Sequence, residues 1–267
     1  MTTPPVTYVI AGSEATGGAG CQADLRTLQQ LGVYGACTLT CIVSFDPKDG
    51  WNHRFVPVDA QVIRDQAEAT LADWSPASVK IGMLGAVPTI EAVRDILTEA
   101  KLPNVVLDPV LICKGQEPGA ALDIDTALRT EVLPLADVLT PNKVEAQILS
   151  GIDSLESVSD FGEAAKRIAE HGPGAVLVKG GVDTPGDHAV DVLWDGTELV
   201  EFSRPKVGEH RVSGAGDTLA TGISAGLALG QDLHTAVEHA KEFVTAGIGR
   251  AMAGNTPFDV VWQGRAA

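Results

Sequence analysis

Ser213-Gly214-Ala215-Gly216-Asp217-Thr218 opens a long run of small residues. A glycine-rich turn feeding a helix start presents unpaired backbone N–H groups and the positive end of the helix dipole, a place suited to an anion. Asp217 is out of place if phosphate merely binds there, because its carboxylate repels it. The carboxylate has a use if it takes the proton from a hydroxyl that attacks phosphorus, and that chemistry is phosphoryl transfer to an alcohol. The same six residues also suit an ordinary capped helix, with Ser213 or Asp217 favouring its first turn.

Other polar residues follow apolar runs. Gly12-Ser13 and Gly17-Gly18-Ala19-Gly20 form a first loop that matches neither GxGxxG nor GxxxxGK[ST], so both nucleotide fingerprints are absent. Its glycines permit close backbone approach to a ligand. Asp24, just inside the next helix, either hydrogen-bonds a substrate hydroxyl or ring nitrogen or favours the helix dipole. Asp108-Pro109 and Thr140-Pro141-Asn142-Lys143-x-Glu145 each place a proline after a strand, which ends the ladder and aims its polar neighbour. Asp108 and Glu145 are candidates to hold Mg²⁺ directly or through waters, while Asn142 and Glu145 equally suit a helix cap. Lys179-Gly180-Gly181 suits either a phosphate contact or a solvated turn. Cys113 and Lys114 stand in a loop placed to cover the site, and Cys113 is a candidate reactive thiol. Cys21, Cys37 and Cys41 have no such neighbours and read as packing.

The elements that must carry these loops alternate between short β-rich runs and helical stretches. Strands are expected at residues 6–11, 38–43, 78–81, 105–107, 138–139, 175–178, 189–194 and 198–202, the last two joined at Asp195-Gly196 by a type I′ hairpin. Helices are expected from Gly20 to about residue 31, at 59–72, 89–100 and 143–149, at 160–170, and at about 218–229 and 233–252. This is the pattern of a three-layer α/β/α fold with a mostly parallel central sheet, as one domain over residues 1–267. Gly12, Gly82, Asp108, Thr140 and Lys179 all follow strands, and ligands of open parallel sheets bind outside the strands' carboxyl ends. Five such loops at one edge imply one shared site.

The net charge of −16 excludes the basic patches that nucleic acid or an anionic membrane requires. No apolar run approaches the roughly 20 residues of a membrane span, and Met1-Thr2-Thr3-Pro4-Pro5 lacks the pattern of a secretory leader. The four cysteines form no CxxC pairs and no dense framework, so reduced thiols and a cytoplasmic location are expected, without zinc.

Several stretches in order resemble the ribokinase superfamily, in the branch of hydroxymethylpyrimidine kinases and the similar bacterial pyridoxal kinases. They are Ile10-Ala11-Gly12-Ser13 with Gly17-Gly18-Ala19-Gly20-Cys21-Gln22-Ala23-Asp24-Leu25, Gly32-Val33-Tyr34-Gly35, Lys80-Ile81-Gly82-Met83-Leu84-Gly85, Asp108-Pro109-Val110, Thr140-Pro141-Asn142 with Glu145-Ala146, Lys179-Gly180-Gly181, and Gly214-Ala215-Gly216-Asp217. The resemblance implies a ribokinase-like fold and ATP- and Mg²⁺-dependent phosphorylation of a hydroxymethyl group on a small heteroaromatic ring. It implies Asp217 as catalytic base beside the anion-receiving Gly214, Ala215 and Gly216. It implies substrate contacts from Gly12, Asp24, Phe45, His53, Met83 and Cys113. Thr140, Asn142, Lys179, Gly181, Ser213 and Lys241 fall on the ATP side, Asp108 and Glu145 near the metal, and a homodimer is implied.

The pyrimidine kinases of this branch usually carry Gln where this chain has Phe45, and Cys where it has Asp217. The stretches Ile42-Val43-Ser44-Phe45-Asp46-Pro47, Gly50-Trp51-Asn52-His53 and Val110-Leu111-Ile112-Cys113-Lys114-Gly115 look instead like the branch's pyridoxal kinases, in which the matching cysteine is linked to the pyridoxal aldehyde. A B6-vitamer kinase is therefore the expectation, with hydroxymethylpyrimidine kinase as the alternative. A nucleotide-binding protein without turnover is a more distant one, since such a protein gains nothing from Asp217. Arg211 stands where Asp or Asn is common before the glycine turn.

Overall fold

The computed structural model describes residues 3–111 and 118–264. Nine strands form one sheet in the order β3-β2-β1-β4-β5-β6-β7-β8-β9. The central run comprises β2 (Tyr34–Asp46), β1 (Val6–Glu14), β4 (Ser78–Ile81), β5 (Val105–Leu107), β6 (Val138–Leu139) and β7 (Ala175–Val178). These six are mutually parallel. At the flanks, β3 (Asn52–Pro57), β8 (His188–Trp194) and β9 (Leu199–Pro205) pair antiparallel.

Alternation along the strands builds two cores. In β1, Tyr8 and Ile10 face the layer that contains α2 (Ala60–Asp73), α3 (Val87–Ala100), α5 (Lys143–Ser150) and α6 (Val158–Ala169). Val9 and Ala11 face the opposite layer, with α1 (Gly20–Gln30) and α7 (Ala215–Ala228). The neighbouring cluster on that side joins Val106, Val138 and Leu177 to α7 and α8 (Leu233–Ile248). The small residues after the Ser213 turn have a packing role here. A Cβ on Gly222 would come within 2.8 Å of the Ala240 Cβ, and one on Gly226 within 2.7 Å of the Ala236 Cβ, so α7 lies tight on α8.

From β1 the chain turns through α1 to β2 on one side, then crosses to β4 on the other. The crevice at such a reversal is where ligands of open parallel sheets bind. A register shift between Ala11 and Ser13 bends the end of β1, and the strand runs to Glu14, three residues beyond expectation.

Three further differences from the sequence reading have local causes. First, β2 is 13 residues long and its outer half pairs with β3, which was not expected. Asn52-His53-Arg54-Phe55-Val56-Pro57 has no clean apolar alternation because it stands largely exposed beyond the core. Second, α4 (Pro118–Ala127) was likewise missed. Third, the β8–β9 connection is not a type I′ turn, since Asp195 lacks the positive φ that turn requires and only Gly196 has it, at 95°. The Asp195 carboxylate organises a longer loop instead, accepting from the N–H groups of Thr197 and Glu198 at 2.8 Å each.

Candidate active site

The Ser213 turn is held where two glycine-rich loops touch. Gly214 caps α7 with φ of 78°, and a Cβ there would lie 2.1 Å from the carbonyl oxygen of Gly18. Only glycine allows both the conformation and the approach. Val260 packs on Gly18 and bridges to Ser213, closing the turn from the far side.

Asp217 sits in the first turn of α7. Its Oδ2 accepts from the Gly20 N–H at 3.1 Å and its Oδ1 from Lys80 Nζ at 2.8 Å. Lys80, on β4, is fully buried and also reaches Asp24 Oδ1 at 2.8 Å and Oδ2 at 2.9 Å. Thr221, one helical turn after Asp217, donates its hydroxyl to Asp24 Oδ1 at 2.6 Å.

Burial opposes the Asp217 charge, but Lys80 and the Gly20 N–H hold its carboxyl below the ordinary range, ready to accept a proton. Burial also works against the Lys80 charge, yet Asp217, Asp24 and Asp108 keep it above the usual lysine value. One ammonium between two carboxylates does not serve both equally. Burial, with Asp217 nearby, pushes Asp24 up to about 7 in spite of Lys80.

Asp24 was expected at the substrate, and the structure corrects this. Its side chain is wholly enclosed and meets Lys80 and Thr221 rather than a cavity. Its ordinary value is 3.8, so between about pH 4 and 7 the folded chain retains a proton that the unfolded chain has lost. The stability Asp24 supplies is therefore present below about pH 4 and is lost as pH rises toward 7. The urea midpoint of the wild type, taken relative to Asp24→Asn, is expected to fall across that interval. A difference that stays constant with pH would show that Asp24 titrates normally.

Beside Asp217 lies a cavity of about 390 Å³. Gly12, Met83, Phe45 and His53 all line it. Phe45 packs on His53 with ring centroids 4.7 Å apart, and edge-on against Phe258 at 5.3 Å. A Cβ on Gly12 would press within 2.5 Å of Cys41 Sγ, so the backbone itself forms part of the wall. The cavity thus has aromatic walls at one end and a carboxylate at the other, dimensions and chemistry suited to a flat ring bearing a hydroxyl.

Ser213, expected on the nucleotide side, lines this cavity instead. Its backbone is tied to residues 259–261, with its N–H on the Asp259 carbonyl at 2.8 Å. Cys113 lies outside the described residues.

On the other side of the turn is a cleft of about 260 Å³. Ala215, Gly216, Asn142, Lys179, Gly181 and Lys241 line it. Lys179 Nζ pairs with Asp108 Oδ1 at 2.6 Å, and a Cβ on Gly216 would lie 3.3 Å from that ammonium, so the lysine abuts the turn. Lys241, almost fully buried, pairs with Asp191 Oδ2 at 2.6 Å, while Asp191 Oδ1 accepts from the Gly180 N–H at 2.9 Å. Thr140 was expected at the nucleotide, but it is buried under the cleft with its hydroxyl 3.3 Å from Asp108 Oδ1. Asn142 and Glu145 form a reciprocal cap on α5, with Glu145 N–H to Asn142 Oδ1 at 3.0 Å and Asn142 N–H to Glu145 Oε2 at 2.8 Å.

Burial and the nearby Asp108, opposed by Lys179, push the Glu145 carboxyl up to about 7. A metal beside these two acids would relieve that strain on ionisation. Among the described residues no group of three or more His, Cys, Asp or Glu side chains could hold a metal ion. Two carboxylates suit Mg²⁺, which keeps most of its shell as water and phosphate oxygens.

Lys80, Glu14, Asp191 and Phe258 were missed in the sequence. Glu14 accepts from the N–H groups of Thr16 and Gly18, at 2.6 and 2.8 Å, and shapes the first glycine loop. A glutamate ending a nearly all-buried strand was its available signal.

An anion-receiving turn between a cationic cleft and a ring-sized cavity, with a carboxylate at the join, defines a small-molecule kinase on the ribokinase-like fold. The chain belongs to the phosphomethylpyrimidine kinase family, whose profile matches residues 14–259. It is 43% identical over 240 residues to a pyridoxine kinase of Bacillus subtilis (strain 168), covering 90% of this chain and 88% of that one. An ADP complex of Bacillus subtilis pyridoxal kinase superposes with a TM-score of 0.92 at 39% identity, covering 97% of each chain. A Staphylococcus aureus pyridoxal kinase in complex with AMP-PCP and pyridoxal gives 0.90 at 34% identity, covering 98% of this chain and 94% of that one.

Proposed function

We propose that this chain is a B6-vitamer kinase that transfers the γ-phosphoryl group of ATP to the 5′-hydroxymethyl of pyridoxal or pyridoxine. The observation that carries this reading is the aromatic-walled cavity ending on Asp217, on the far side of the anion-receiving turn from the Lys179 cleft. ATP occupies the cleft with its phosphates toward Lys179 and Gly216. The vitamer ring lies against Phe45, His53 and Phe258 and points its hydroxymethyl at Asp217. As the hydroxyl oxygen attacks phosphorus, Asp217 accepts its proton, and the N–H groups of the Gly214 turn receive the equatorial oxygens. Asp108 and Glu145 would hold Mg²⁺, which when bound neutralises charge on the phosphates. Similarity to pyridoxine and pyridoxal kinases supports the acceptor assignment.

The family name favours a second reading, phosphorylation of hydroxymethylpyrimidine or its phosphate. Coupled ATP-consumption assays with pyridoxal, pyridoxine, pyridoxamine and hydroxymethylpyrimidine separate the two. The B6 vitamers are expected to show the higher kcat/KM, and a higher value for the pyrimidine would replace the first reading with the second.

No helix among the described residues is long and apolar enough to cross a membrane; the proposed cytoplasmic location rests on the expectation of reduced thiols. Exposed Ile42 and Val56 on the β2–β3 ladder support the homodimer, which sedimentation tests.

A further inference from the structure

We propose that Arg211 is a catalytic cation, crossing from its resting partner to grip the phosphoryl group during transfer. The inference rests on the kinase reading above. Arg211 stands just before the Ser213 turn and lines both the nucleotide cleft and the ring cavity. The group that moves between those two spaces passes this side chain.

Charge accounting around the site singles it out. Lys80 is held by Asp24 and Asp217, Lys179 by Asp108, and Lys241 by Asp191, all through largely buried pairs of 2.6 to 2.8 Å. Lys206 and His210 line the cleft only, and the Lys206 ammonium donates to the Thr184 carbonyl. Arg211 pairs with Asp183 at 2.7 Å, but its side chain is 66% exposed. Water screens such a pair, so the guanidinium leaves it at little cost for a stronger anion. Its planar fork matches two phosphate oxygens at once.

In the transfer, the bond from the γ-phosphorus to the bridging oxygen breaks and its electrons leave on ADP. A lone pair of the acceptor oxygen forms the new bond, and the hydroxyl proton goes to Asp217. Negative charge spreads over the three equatorial oxygens of the moving group. Lys80, Lys179 and Lys241, fixed by their carboxylates, stay behind. Arg211 alone among the described cations of the two spaces borders both ends of the path.

The test compares wild type, Arg211→Ala and Arg211→Lys in two measurements. Calorimetry gives affinities for ADP and for AMP-PCP, and steady-state kinetics give kcat and KM with pyridoxal. Arg211→Ala is expected to bind ADP almost as wild type does, to lose about tenfold for AMP-PCP, and to drop about 10²-fold in kcat with KM for pyridoxal little changed. Arg211→Lys is expected to recover part of kcat. Equal losses for both nucleotides, or an unchanged kcat in Arg211→Ala, would overturn the proposal. If wild type phosphorylates no vitamer, the kinase reading fails separately, and the ADP against AMP-PCP comparison still decides the role of Arg211.

Discussion

Asp217→Asn is expected to fold as wild type does and to lose about 10²- to 10⁴-fold in kcat, the usual worth of a positioned general base. Asparagine keeps the shape of the side chain and still accepts the Gly20 N–H through its carbonyl. Lys80 retains Asp24, so the buried ammonium is not left alone. What disappears is the carboxylate that the proposed transfer uses to take the acceptor's proton. KM for either substrate should change far less than kcat, because the interaction removed matters mainly in the transition state. Near-wild-type turnover, with an unfolding midpoint also unchanged, would remove Asp217 from the chemistry.

Lys80→Met should act through both stability and rate. The substitution leaves Asp24 and Asp217 facing one another around an apolar side chain, with Asp24 fully enclosed. Breaking a buried pair in this way costs about 3–5 kcal/mol, a large part of a typical domain's stability. Urea unfolding at pH 7 reads this directly. Turnover should fall as well, because Asp217 loses the contact that orients it and keeps it ionised, and the acid limb of the pH–rate profile should move upward. The double variant Lys80→Met/Asp24→Asn separates the two effects. It should recover much of the stability, since Asp24, pushed up further without Lys80, no longer has to take up a proton on folding at pH 7, yet remain as slow as the single variant. Recovery of both together would reduce Lys80 to a packing role.

These two predictions mark the limit of what the linear chain discloses. The strand-end loops were legible because each follows an apolar run, and parallel strands must present their carboxyl ends at one edge. Phe45, His53 and Met83 came from resemblance, and they do meet at one cavity. Lys80 was hidden because Ser78-Val79-Lys80-Ile81 reads as a buried strand, while its partners lie 56 and 137 positions away. Asp24 was misplaced for the same reason, since a carboxylate just inside a helix does not announce a cation arriving from another strand. Thr140 and Ser213 both stand in strand-end or glycine-turn stretches, but the fold buries one against Asp108 and sets the other in the wall of the cavity beside Asp217. Asn142 and Glu145 illustrate a third case, in which capping α5 and the proposed place beside a metal are compatible rather than rival readings.

The long β2–β3 ladder separates two tasks. Phe45 and His53, which line the cavity beside Asp217, pair at the outer end of the β2–β3 ladder, where both are half-buried. The Lys80 cluster and the Lys179 cleft are built instead on buried strands at the centre of the sheet. Changes to the ring wall are therefore cheap in stability and leave the phosphoryl machinery intact. A lineage with this architecture can exchange one vitamin precursor for another by drifting at its rim, and relatives of similar overall identity can then act on different acceptors.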